Sequence, residues 1–331
     1  MTRTLTGCFV AALLAATASA AGPEAKYTAP RTSDGRPDLQ GVWNFASGVP
    51  LQRPAKFADR KVLTKEEFDA ERASFLSVLR TIAKVSPVND VGLDWIDNSL
   101  YVNDRRTSLI TYPENGRLPA LVNGVQRMPG IEDIFAVLQD VAKGPPLALA
   151  NLLAAFGAGK KDSHKDFSTA ERCLEDITVP IVPGFGDNYV QIIQGRDQLA
   201  LVWDSGRRVV SLEKRTSALS KVRTSTGTST GHWEGETLVV ETRNFSEATP
   251  GFAGAGTSRD KVVTERITKT SPGTIEYAAT VVDPATFKDR VELWFPMAHV
   301  DARIYEATCH EGNYSLPNTL SAQRKEDEAK K

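Results

Sequence analysis

Near the C-terminus, YEATCHEGNY (Tyr305–Tyr314) sets a thiol, an imidazole and a carboxylate at consecutive positions, Cys309, His310 and Glu311. Three kinds of chemistry use such groups: a thiol nucleophile with a histidine base, a metal site, or a strand end held by a disulfide. Adjacent side chains on a strand point to opposite faces. If Tyr305 to Glu311 continues as a strand, Tyr305, Ala307, Cys309 and Glu311 share one face, and His310 lies on the other with Glu306 and Thr308. A Cys309–His310 nucleophile pair is then disfavoured. His310 is left as a structural histidine or as a general acid or base in a cavity.

The cysteines bear on the same choice. Arg3, the apolar run Phe9–Ala16 and Ala18-Ser19-Ala20 fit an export signal cleaved near residue 20, and Cys8 leaves with it. The run is too short to span a bilayer. Cys173 and Cys309 remain, and an even pair in an oxidising compartment favours a disulfide over a free nucleophile. Closing so long a loop contributes on the order of 4 kcal/mol in the chain-entropy model. The expected location is periplasmic or secreted.

Further polar groups recur beside expected strand ends. Asp104, Arg105 and Arg106 precede one strand, Asn188 and Tyr189 open another, and His232 with Trp233 begins a third. Arginine offers a fixed fork of donors to a carboxylate or phenolate, and Tyr and Trp offer flat apolar walls. The catalytic candidates are His310 as base, His232 as second proton carrier, and Arg106 and Tyr189 as stabilisers. Asn188, Trp233, Glu311 and Arg105 are the ligand-binding candidates. For Arg106 the structural alternative is an ion pair with Glu171, and for Trp203, Trp233 and Trp294 it is core packing.

Other chemistries find less support. His164, His232, His299 and His310 show no HxH or HExxH spacing and no CxxC occurs, so no metal is expected, although a site across strands from His232, His310 and a carboxylate stays open. There is no GxSxG. GTSTGHW and GFAGAG lack the strand–loop–helix setting of a phosphate cradle, so no nucleotide cofactor is expected. A net charge of -1 argues against nucleic acid as partner.

These residues need elements to hold them. Residues 21–60 read as an extended arm, rich in Pro, Gly and Arg, with Leu39, Val42, Trp43 and Phe45 able to pin it to a core. Residues 61–170 read as a helical region with one strand. Thr64 and Glu67 form a capping box ahead of Phe68, Phe75, Leu76, Leu79 and Ile82 at helical spacing. Thr107 to Tyr112 reads as a strand ending in a Pro-Glu-Asn-Gly turn. Ile131–Val141 and Leu147–Phe156 predict two apolar helices that pack in the core, form a homodimer contact or close a pocket. Residues 171–318 alternate as roughly eight strands with short turns. The expected fold is mainly β, a lipocalin-like up-and-down antiparallel barrel with accessory helices from the N-terminal half. Residues 319–331 form a charged tail. No segment after the signal is apolar for long enough to span a membrane.

The chain resembles a family of exported, mostly uncharacterised bacterial proteins that carry DLxGVW, RTSLIxxPxxGRLP, ERC, an NY-containing strand, RWEGDTLVVxTxNF and YExxCHEGNY. The matches here are Asp38–Trp43, Arg106–Pro119, Glu171–Cys173, Asn188-Tyr189, Trp233–Phe245 and Tyr305–Tyr314. The resemblance implies a Cys173–Cys309 bridge. Two departures, His232 in place of an arginine and the helical stretch Val122–Lys161, imply a pocket tailored to its own ligand.

Two functions follow from this inventory. One is a cofactor-independent enzyme using acid–base chemistry on a small, partly aromatic molecule, such as a lyase cleaving a C–C or C–O bond next to a phenolic ring. The other is a lipocalin-like carrier of a hydrophobic small molecule.

Overall fold

Buried and more exposed positions alternate through Thr274–Val282 and from Val291 to Met297. Ile275, Tyr277, Ala279 and Val281 are buried between more exposed neighbours, as are Val291, Leu293, Phe295 and Met297. That period of two gives each strand one inward face, and the inward faces build the interior of a closed barrel. The computed structural model describes residues 27–85, 104–127, 162–167, 172–173, 179–184, 188–212, 222–247, 249, 251–256 and 259–330. The two apolar helices expected between 131 and 158 lie outside them, as does Glu171.

The strands are β1 (Gly41–Asn44), β2 (Ile110–Tyr112), β3 (Tyr189–Gln194), β4 (Gln198–Trp203), β5 (Gly206–Ser211), β6 (Thr228–Glu234), β7 (Thr237–Arg243), β8 (Val262–Ser271), β9 (Thr274–Val282) and β10 (Val291–Val300). Around the barrel they run β1-β3-β4-β5-β6-β7-β8-β9-β10, and β10 returns to β1 through Val42↔Val300 and Trp43↔His299. The fold is therefore the expected lipocalin-like barrel, closed by nine strands. The short β2 adds to the same edge of β10 further along, at Leu293↔Ile110. Pairings are antiparallel except β5–β6, which run parallel through Val210↔Ser229 and Ser211↔Thr230.

The arm does more than lie on the core. Its Gly41–Asn44 segment is the strand that closes the barrel, between β3 and β10. Gly41 has φ +133°, and a side chain there would press on the His299 ring, so the position favours glycine twice over. Residues before β1 fold across the barrel end formed by the turns at 195–197, 235–236 and 272–273, here the bottom. Leu39 N–H donates to Gln194 Oε1 (3.1 Å), Gln194 Nε2 donates to the Pro37 carbonyl (3.0 Å), and Arg31 pairs with Glu236. Leu39 is fully buried there.

At the top, where β5, β6 and β8 begin, a second segment closes over the interior. Val179 and Ile181 are buried, with Ile181 N–H donating to the Tyr277 hydroxyl (2.9 Å). Two loops carry Phe245, Phe252, Ala255 and Phe287 into the same core. Outside the barrel, helix α1 (Lys65–Val85) starts at the expected capping box. Glu67 N–H donates to Thr64 Oγ1 (3.2 Å) and Thr64 N–H to Glu67 Oε2 (3.0 Å).

The C-terminal region departs from expectation. Residues 301–308 form no strand, and Cys309–Gly312 is a single exposed helical turn. The barrel is already closed by β1 on that edge of β10, so no edge remains for a further strand to join. The Cys173–Cys309 disulfide is present, with Cα atoms 5.6 Å apart, and secures this segment with help from Ala307 N–H on the Asp204 carbonyl (2.9 Å). Within the charged tail of residues 319–331, helix α2 (Ser315–Ala329) covers most positions. Its Ala, Gln, Glu, Lys and Arg content suits an exposed helix. No helix among the described residues is long and apolar enough to cross a membrane.

Candidate functional site

The structure does not assemble the two histidines around a shared cavity. His232 sits on the outer face of β6, exposed, with Nε2 3.2 Å from Glu234 Oε1, and Arg266 bonds the same carboxylate from the next strand but one. His310 lies in the exposed turn beyond the barrel, with Glu311 beside it. The premise that both end barrel strands fails for His310, because its strand does not form. His164 and His299 are also exposed, and no His/Cys/Asp/Glu group among the described residues is arranged to hold a metal.

The remaining sequence candidates lie apart from one another. Arg106 bonds Asp104 through Nε (2.8 Å to Oδ2) and stacks on Trp294, its guanidinium carbon 4.4 Å from the ring centre. Trp294 faces outward on β10, so this pair fastens the strand-like segment 104–110 to the barrel exterior. Arg105 is exposed, and its carbonyl accepts from Leu63 N–H (2.8 Å). Asn188 is buried and closes its own loop, accepting from Gly184 N–H (2.8 Å) and donating to the Gly184 carbonyl (2.9 Å). Tyr189 is half-buried at the start of β3. Trp233 points inward from β6, with its Nε1–H buried and unbonded.

The barrel interior holds a different polar group. Arg208 on β5, Glu265 on β8 and Tyr277 on β9 all point inward among apolar side chains. Arg208 meets Glu265 through two parallel bonds, Nη1 to Oε2 at 2.7 Å and Nη2 to Oε1 at 2.8 Å. The Tyr277 hydroxyl donates to Glu265 Oε1 at 2.6 Å and accepts from Ile181 N–H. Arg208 is 2% exposed and Glu265 0%. Such a pair survives burial only with this bidentate geometry and a further donor on the carboxylate. Burial, reinforced by the Glu265 charge, pushes the Tyr277 phenol well above its ordinary range.

Just above this group, Lys261 and Asp283 flank the ends of β8 and β9. Lys261 is buried, donates to the Val179 carbonyl (2.8 Å) and lies 4.3 Å from the centre of the Phe245 ring. Desolvation brings its ammonium down to about 8, against the pull of Asp283 and Glu265. Asp283 is 2% exposed, and neither carboxylate oxygen has a hydrogen-bond partner. Thr286 and the amides of Ala285 and Thr286 lie close enough to lower its pKa without reaching hydrogen-bonding geometry, and burial outweighs them, so the net shift is upward.

Alternation held the signal for this cluster. In VVTERITKT, Glu265 falls between the inward Val263 and Ile267, and in GRRVVS Arg208 shares a face with Val210. A charge at an inward position of a half-buried strand marks a paired or functional group.

A stability test follows from Asp283. Its raised folded-state pKa means that the native protein holds the proton more tightly than the unfolded chain. The contribution is full below the ordinary aspartate value near 3.9 and is lost as pH rises through the folded value. Lys261 titrates near 8, above that window. Asp283→Asn is therefore expected to flatten the loss of stability between acidic and neutral pH, read from urea midpoints at several pH values. An unchanged pH slope would show that Asp283 is not the group responsible.

Comparison of the chain with protein-family models, with curated proteins and with solved structures gave no match.

Proposed function

We propose that this is an exported protein that takes up a small, partly aromatic molecule at the top of its barrel and acts on it by acid–base chemistry. The observation that carries this reading is the convergence of Lys261, Asp283, Glu265, Tyr277 and Arg208 inside a largely apolar barrel. Buried titratable groups with displaced pKa values are the raw material of acid–base catalysis. Phe245, Phe295 and Tyr277 supply aromatic walls beside them. The disulfide supports the exported setting.

In this reading Asp283 removes a hydroxyl proton from the substrate. The oxygen's electron pair closes a carbonyl, and the neighbouring bond breaks with its pair on the departing fragment. That fragment takes a proton from the Lys261 ammonium. Access is through the Val179–Gly184 segment, whose carbonyl and amide now cover Lys261 and Tyr277.

A carrier of a hydrophobic molecule is the second reading, favoured by the charge-neutral Arg208–Glu265–Tyr277 group, which orients without needing to react. Thermal-shift and mass-spectrometric screening of aromatic compounds separates the two. Conversion without added cofactor supports the enzyme, and a shifted melting temperature with unchanged ligand mass supports the carrier. The enzyme reading expects conversion to survive in His232→Ala and His310→Ala and to fall by at least a hundredfold in Asp283→Asn. Loss in either histidine variant with full activity in Asp283→Asn would return the chemistry to the histidines.

A further inference from the structure

Lys261 and Asp283 present opposite charges, both buried, and attract each other without bonding. Beneath them Arg208 and Glu265 neutralise each other completely. Among the described residues, the top of the interior thus holds two cationic and two carboxylate side chains. A ligand that brought its own charge would leave a net charge in an apolar barrel, which is strongly unfavourable.

The chain itself shows the kind of group to which Lys261 donates. Its Nζ–H donates to the Val179 carbonyl, and the Val179 side chain fills the apolar space beside it. A carbonyl can only accept, and Asp283 accordingly stays without a donor. A hydroxyl does what the carbonyl cannot, because its oxygen accepts from Lys261 while its proton goes to Asp283.

We infer that the gap between Lys261 and Asp283 is a binding site for the hydroxyl of an uncharged alcohol whose apolar body replaces Val179. This rests on the ligand-binding reading above and deepens it by fixing the ligand's charge and one functional group. The selection is physical: an alcohol satisfies both buried groups without adding charge, a carboxylate repels Asp283, and an ammonium repels Lys261.

Three compounds on one scaffold provide the test: 1-phenylethane-1,2-diol, mandelate and 2-amino-1-phenylethanol, titrated at pH 7 into the full chain by calorimetry. The diol is expected to bind at least tenfold more tightly than either charged analogue. Asp283→Asn, close in shape to the native residue, is expected to weaken diol binding about tenfold. Lys261→Met provides a second variant with the same expectation should the first fail to fold. Equal or tighter binding of mandelate or the amine overturns the charge selection while leaving a small-molecule site in place. Undiminished diol binding in the folded variants overturns the assignment to these two residues. Failure of all three compounds to bind overturns this inference together with the ligand-binding reading on which it rests.

Discussion

Arg208→Met is expected to destabilise the protein by about 3–5 kcal/mol, because it leaves the Glu265 carboxylate ionised or forcibly protonated in a dry barrel. The loss would lower the melting temperature by roughly 6–20 °C for a domain of this size. Arg208 supplies both strong donors to Glu265, and only the Tyr277 hydroxyl would remain on that carboxylate. The double variant Arg208→Met with Glu265→Gln removes both charges and keeps an acceptor for Tyr277. It should recover most of the lost stability, since a buried ion pair is often worth little more than a neutral replacement. A double-mutant cycle on urea midpoints reads this directly. If the double variant is as unstable as the sum of the two singles, the groups do not act as a pair.

Trp43→Ala is expected to cost about 3–5 kcal/mol, in the range of large core truncations. Trp43 is fully buried on the four-residue strand that joins the two edges of the barrel. Its Nε1–H donates to the Leu39 carbonyl (3.0 Å), holding the arm in place at the bottom, and its ring meets His299 edge-on at 5.3 Å. Lys269, whose Nζ lies 5.5 Å from the ring centre, also donates to the Asp38 carbonyl (3.3 Å). Truncation thus opens a cavity and leaves the Leu39 carbonyl unbonded at the closing seam. Trp43→Phe retains much of the packing but not that bond, and should cost about 1–2 kcal/mol. Hydrogen exchange distinguishes a seam defect from global loss, because β1 amides should lose protection before those of β8 and β9. Uniform loss of protection would contradict a closing role for β1.

Several elements were legible in the residues alone because their causes are local. The alternation in TIEYAATVV and VELWFPM specifies strands with one buried face whatever their neighbours. The Thr64–Glu67 capping box contains both partners of its own hydrogen bonds within one turn. The Cys173–Cys309 bridge follows from pairing the two cysteines that lie outside the N-terminal apolar segment, with no geometry required. The C-terminal reading failed where it extended a local pattern past its support. Ala302–Cys309 has strand-forming residues, but the edge of β10 that it needed as neighbour is occupied by β1.

By itself, then, the sequence determined a β-rich chain with inward and outward faces, a capped helix and a disulfide. Only the tertiary structure decided which polar residues meet. Arg208 and Glu265 stand 57 positions apart and belong to strands that are not neighbours in the sheet. Their contact exists because a closed, staggered barrel turns inward faces toward one another across its interior. The same closure places His232 on the outside and leaves His310 beyond the last strand. Period-two alternation fixes the face a side chain occupies, whereas the partner across the barrel depends on strand order, register and closure, which no short stretch of sequence contains.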